Sequence, residues 1–263
     1  MIGLSFHPDL TLADRALDHL QAGPRSAFEL ARDVLLLPHA PRVIADRLAV
    51  ALLGADPRVH QLPDGRWAVA ISARPSPPLA DCAFAVVDVE TTGMRALGSD
   101  RITEVAVVAV SGDRVELALD SLVNPGRPIP PRITMVTGIT DAMVTRAPSF
   151  PELSDAVLSA LAGRIFVAHN ARFDWNFLNA EVRRSRDLVL SGPRLCTVRL
   201  ARRLLRGLVR SCGLDSLTGY FGFDNTARHR AGGDAMVTAR LLARLLALAS
   251  ERGAVTFDEL GLM

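Results

Sequence analysis

The chain has 263 residues, 49% of them apolar, with 30 basic and 28 acidic side chains and a formal net charge of +2. That length predicts one large domain or two smaller ones, and the apolar share excludes a disordered chain. No apolar run approaches the roughly 18 residues that span a bilayer, and the start, MIGLSFHPDL, lacks the basic and apolar regions of a signal peptide, so a cytoplasmic location without a membrane partner is expected.

In residues 1–72 apolar side chains recur at helical spacing three times. The sets are Leu12, Ala16, Leu17 and Leu20; Phe28, Ala31, Val34 and Leu35 after an N-cap at Ser26; and Val43, Ile44, Leu48 and Leu52 after Pro41 in a first turn. VHQL, a Pro63-Asp64-Gly65 turn and RWAVAI then predict an antiparallel hairpin. Three helices and a hairpin predict a small, mainly helical winged-helix-like domain, and ADPRVHQLPDGRWAVA resembles the wing of HARE-type winged-helix domains. Residues 73–82, with Pro75, Pro77 and Pro78, predict a stiff extended linker. A second domain is expected over 83–250 and a C-terminal tail over 251–263.

FAVVDVE, from Phe84, is a near-continuous apolar run and predicts a buried strand. RITEVAVVAV and RVELALDSLV predict two more strands joined by a Ser111-Gly112-Asp113 turn. A helix over about 151–162, a short strand RIFVAH, and helices over about 173–185, 197–206, 213–221 and 232–250 follow. This order predicts an α/β domain, a mixed sheet covered by helices. Cys82, Cys196 and Cys212 are odd in number and far apart, which argues against a disulfide framework and a cysteine-based zinc site.

Three acidic features carry chemistry. Asp88 and Glu90 lie at i and i+2 on a strand and point to one face, where a divalent cation would relieve their repulsion. Oxygen ligands favour Mg²⁺ or Mn²⁺ over zinc. In HNARFDWNFL, Asp174 opens an amphipathic helix; in HRAGGDA, His229 precedes a glycine pair and Asp234 sits in the first turn of the last long helix. Taken singly, each also fits an ordinary structural role: a polar strand end, or an acid that complements a helix dipole.

Together, over about 84–250, these motifs and the connection VNPGRPIPPRITMVTGITDAMVTRAPSF resemble the DEDDh-type 3′→5′ exonucleases of the ribonuclease H-like fold, most of all the proofreading epsilon-subunit branch. The resemblance implies a mixed five-stranded sheet flanked by helices. It implies two divalent cations, Mg²⁺ or Mn²⁺, held by Asp88, Glu90, Asp174 and Asp234, with His229 as the general base. The H-x₄-D spacing argues against the sister group with Tyr at this place, because the only tyrosine, Tyr220, lies fourteen residues before Asp234. Thr91 and Thr92 match the part of the family that meets the terminal nucleotide. Met94 fits contact with the terminal base and ordinary packing equally; Asn170 fits a phosphate contact and a helix cap equally. His169 is expected to be structural, and Thr137-Gly138-Ile139 matches a family turn near the site.

The implied activity is hydrolysis of DNA from its 3′ end to nucleoside monophosphates in replication proofreading or repair. The implied partners are a nucleic acid with a free 3′ end, single-stranded or frayed DNA, and a DNA polymerase or repair complex. An exoribonuclease is the alternative, since nothing in the sequence reports on the 2′-hydroxyl; a noncatalytic winged-helix regulator is a third reading, which the full carboxylate and histidine set opposes. All 30 basic residues are arginine, a composition that coding bias explains as well as phosphate binding does. Their distribution is uneven: residues 81–163 hold 6 Arg and 11 acids, whereas 164–210 hold 11 Arg and 3 acids, a block that could attract a phosphate backbone or be a solvated face.

Overall fold

In the computed structural model, which describes residues 2–7, 11–21, 23–70, 76–223 and 229–262, the chain divides into two units. One is His7–Ser76; the other is Met1–Phe6 together with Pro77–Met263. Strand β1 (Ser5–His7) is the first element. The smaller unit holds helices α1 (Leu12–Leu20), α2 (Ala27–Asp33) and α3 (Arg42–Leu53) and the antiparallel strands β2 (Val59–Gln61) and β3 (Trp67–Val69). Capping boxes start α1, at Thr11 with Asp14, and α2, at Ser26 with Glu29. The buried face of α3 differs from the expected one. Ala45, Ala49 and Leu53 point inward, and Val43, Ile44 and Val50 are exposed. In a helix that is apolar nearly all round, periodicity does not select a face, and small alanines allow close approach to α2.

The larger unit is built on a five-stranded mixed sheet. Its elements are β4 (Ala83–Thr91), β5 (Ile102–Ser111), β6 (Arg114–Leu122), α4 (Pro131–Thr137), α5 (Asp141–Val144), α6 (Phe150–Leu161), β7 (Ile165–Ala168), α7 (Ala171–Arg186), β8 (Val189–Ser191), β9 (Arg194–Cys196), α8 (Thr197–Leu204), α9 (Leu214–Phe221), α10 (Ala231–Glu251) and α11 (Glu259–Leu262). The strand order is β6-β5-β4-β7-β9, with β4 central, antiparallel to β5 and parallel to β7. Alternate residues of β4 serve two cores. Phe84 and Val86 face the side of α8 and α10; Ala85, Val87 and Val89 face α6 and α7, where Phe166 meets Trp175 edge-on at 5.1 Å.

Two expected boundaries differ from the structure. The residues just before the first unit belong to the larger one: Leu4 exchanges backbone hydrogen bonds with Arg164 and Gly163, and β1 pairs with β8. Residues 73–75 of the expected linker, Pro75 included, lie outside the described residues. Pro77 and Pro78 are not spacer but paired chain: Pro78 bridges Thr256, Leu79 donates to the Val255 carbonyl, and Phe257 donates to that of Pro77. The expected tail is therefore folded, with Leu260 buried in the core beside α8 and α10.

Candidate active site

The central strand sets the site. On β4, β7 pairs only with Phe84, Ala85 and Val86, so beyond Val86 that edge of β4 is open. The chain leaves β7, turns at Asn170 in the left-handed region (φ 77°), and enters α7. Asp174, in its first turn, then reaches the open edge: the Val89 N–H donates to its Oδ1 at 3.2 Å. Asp88 and Glu90 share the face of β4 that is covered by α10, whose first turn carries Asp234. This is the carboxyl end of the parallel pair, the usual location of sites in open α/β sheets.

Ligand-capable atoms of Glu90, His229 and Asp234 lie within 4.8 Å of one another. His229 has φ 60°, and its N–H donates to Asp234 Oδ2 at 3.0 Å. Burial and then the charges of Asp174, Glu90 and Asp234 raise the Asp88 carboxyl well above its ordinary value. Burial, with Asp234, Glu104 and Asp174, pushes Glu90 up to about 8. Burial pushes Asp174 up to about 7, against the lowering effect of its backbone hydrogen bonds. Carboxylates gathered this closely favour protons unless a cation neutralises them, and a donor set of oxygens plus one imidazole suits a hard divalent ion. Glu90, His229 and Asp234 could hold such an ion together, and the charge of Asp174 acts on Asp88 beside them.

Two residues that sequence reasoning missed hold this arrangement. Glu104 on β5, 1% exposed, stands opposite Glu90 in the strand register. It accepts from Arg230 Nε at 2.9 Å and Nη2 at 2.5 Å, and from the Ala231 N–H at 2.8 Å. The two residues after His229 are thereby clamped to the central sheet, where α10 starts. Gly232 allows this approach, because a Cβ there would overlap the Asp120 carboxylate. A lone acid in the apolar run TEVAVVAV was the available signal, and only the register gives it a partner.

The remaining predicted residues separate. Thr91 Oγ1 donates to the Gly93 carbonyl at 2.5 Å; Thr92, 1% exposed, gives its N–H to the Arg101 carbonyl and accepts from the Arg101 N–H. The Thr92 N–H thus closes the loop 92–101. Met94 is 76% exposed, so packing does not account for it, and with Leu97, Phe173 and Phe177 it lines a cavity of about 390 Å³. Asn170 makes no side-chain cap and is exposed. His169 Nδ1 lies 2.9 Å from Thr197 Oγ1, tying β7 to α8, and burial lowers its proton affinity. Thr137 closes its own turn, accepting from the Ile139 N–H.

Comparison with known proteins is consistent with this geometry. A family profile described as exonuclease, RNase_T, matches residues 85–242. The chain is 34% identical over 168 residues to the DNA polymerase III subunit epsilon of Aquifex aeolicus, covering 64% of this chain and 82% of that one. It is 41% identical over 194 residues to a DNA polymerase III subunit epsilon-like protein of Rhodobacter capsulatus, covering 71% of this chain. The chain spans 27% of that relative's length and 29% of that of a Mycobacterium tuberculosis relative at 40% identity. The structure of exonuclease X in complex with 5′-overhanging duplex DNA superposes with a TM-score of 0.53 at 28% identity, over 64% of this chain and 93% of that one.

Two outcomes follow from the site. The fold keeps protons on Glu90 and Asp174 up to about 8 and about 7, whereas their ordinary values are 4.5 and 3.8. Unfolding then releases protons, so chelated protein is expected to lose Tm as pH rises from about 5 to about 8, with Mg²⁺ or Mn²⁺ restoring most at the alkaline end. Scanning fluorimetry checks this, and a flat chelated profile would contradict it. Replacing Glu104 by Gln leaves an acceptor for Ala231 but no charge for Arg230. Loss of about tenfold or more in kcat with KM nearly unchanged is expected on a 3′-labelled oligonucleotide, and unaltered kcat would remove the clamp from the reaction.

Proposed function

The chain belongs to the RNase_T exonuclease family, and from that membership we propose that it hydrolyses phosphodiester bonds at the 3′ end of DNA, releasing nucleoside monophosphates one at a time. The observation that carries this reading is the convergence of Glu90, His229 and Asp234 within 4.8 Å beside two further carboxylates whose proton affinity is raised.

In this reading Asp88, Glu90, Asp174 and Asp234 hold two divalent cations, Mg²⁺ or Mn²⁺. Such ions, when bound, acidify water and offset charge on a scissile phosphate and its leaving oxygen. His229 takes the proton of the attacking water; imidazole is suited to that at neutral pH. Its left-handed backbone, fixed between the Asp234 carboxylate and the Glu104 clamp, holds the ring at the carboxylate cluster. Met94 presents an apolar surface to the terminal base at the cavity beside Phe173 and Phe177, and Asn170 offers its amide to a phosphate. Thr91 and Thr92 act by shaping the loop that carries Met94.

The relatives named as DNA polymerase III subunits support DNA as substrate and a polymerase or repair complex as partner, and with them a cytoplasmic setting. No described helix is long and apolar enough to cross a membrane. The smaller unit reads as a winged-helix-like module: three helices, an antiparallel hairpin, and an added bridge between Arg25 and Trp67.

Matched 3′-labelled single-stranded DNA and RNA, incubated with Mg²⁺ or chelator, test the proposal. Release of the labelled terminal nucleotide from the DNA with Mg²⁺ alone is expected. His229→Ala should lower kcat by about 10²–10⁴-fold while retaining the metal-dependent gain in Tm. Full activity in Asp88→Ala or Asp234→Ala would overturn the metal assignment, and faster hydrolysis of the RNA would replace the substrate.

A further inference from the structure

Some arginines of the larger unit pair with carboxylates, among them Arg101 with Glu181, Arg127 with Asp100, Arg186 with Asp155 and Arg230 with Glu104. The surface of α8 instead gathers four arginines within eight residues. Arg199, Arg202 and Arg203 recur at i, i+3 and i+4, and Arg206 follows in the turn that ends the helix. All four are exposed, and none has a carboxylate partner among the described residues. There is no Asp or Glu from 188 to 214. Arg203 is engaged otherwise: its Nη1 donates to the carbonyls of Leu260 and Gly261 at 3.0 and 2.6 Å. Like charges at this spacing weaken a helix, and no acid offsets them. Burial, then the charge of Arg199, lowers the proton affinity of Arg203.

The placement gives these charges a use. Strands β4, β7 and β9 are parallel, so α8 starts at the sheet end that carries Asp88 and Glu90 and leads away from it. Its first residue, Thr197, touches His169, and His169 feels the charge of Asp234. From Arg199 to Arg206 the face covers about 10 Å along the axis.

We infer that Arg199, Arg202 and Arg206 form an anchor for the phosphodiester backbone of the strand whose 3′ end lies at the carboxylates. The inference rests on the exonuclease reading, and it concerns nucleotides beyond those at the reacting bond. Guanidinium groups take phosphate oxygens in pairs, and the unmatched positive face complements a polyanion.

The test is the triple variant Arg199→Gln, Arg202→Gln, Arg206→Gln, which keeps Arg203 and its contacts to the C-terminal helix. Hydrolysis of a 20-nucleotide DNA is compared with that of the p-nitrophenyl ester of thymidine 5′-monophosphate, in Mg²⁺ over a range of NaCl. Binding of the same 20-mer, fluorescein-labelled, is followed by anisotropy in chelator. The variant should show about tenfold or weaker binding of the 20-mer, and a raised KM for it, at low salt. The plot of log affinity against log salt should lose about two units of slope for three lost contacts. Hydrolysis of the mononucleotide ester should stay within about twofold. Unchanged 20-mer affinity and salt slope would overturn the inference and leave the face to an acidic protein partner. If the wild-type protein hydrolyses neither substrate, the exonuclease reading fails, and the anisotropy comparison still decides the anchor.

Discussion

The larger unit is organised around one unfavourable interaction, the repulsion among carboxylates brought together at the end of its central strand. Asp88 and Glu90 arrive on one face of β4, Asp174 from α7 and Asp234 from α10. Several features lessen the cost without removing it. Asp174 and Asp234 both sit in the first turn of a helix, where the dipole favours negative charge. Each accepts a backbone N–H, from Val89 and from His229. Arg230 contributes a cation to Glu104 and Glu90. The carboxyls of Asp88, Glu90 and Asp174 still sit high. The residual imbalance is what a divalent cation would offset.

The surroundings are correspondingly stiff. The loop after β4 is held by Thr92 and Arg101 exchanging hydrogen bonds and by Arg101 clamped on Glu181 at 2.6 and 2.8 Å. Arg184 donates to the carbonyls of Ala96 and Gly98, and Arg127 to that of Ser99. Glu181 is 1% exposed, and its second role, accepting from the Ile102 N–H, fixes the start of β5. A loop pinned in this way can keep Met94 and Leu97, 76% and 96% exposed, facing solvent beside the site. Apolar side chains held out on a rigid loop have no packing function in the free protein.

Arginine therefore serves two purposes in one unit. Where it meets a buried acid it fixes backbone, at the loop through Glu181 and at the start of α10 through Glu104. On α8 it meets none, and its charge is left to the surroundings. The net charge of +2 is the sum of these arrangements, which only the structure separates.

The sequence by itself determined the parts of the protein that depend on one element at a time. A period of two puts Asp88 and Glu90 on one face of a strand, a first helical turn places Asp174 and Asp234, and their order resembles one family. The strands of the central hairpins and the long helices were legible for the same reason: their apolar periods are local. Tertiary structure decided what depends on partners distant in the chain. Glu104 gains its role from its register against Glu90 and from Arg230, 126 residues later. The Thr92 N–H is taken by the Arg101 carbonyl, and Met94 is exposed. The inward face of α3 follows from alanines packing on α2, not from the larger apolar residues beside them. The short strand before residue 7 and the folded C-terminus were illegible because each is stabilised by hydrogen bonds to segments more than 150 residues away, for which a linear pattern carries no signal.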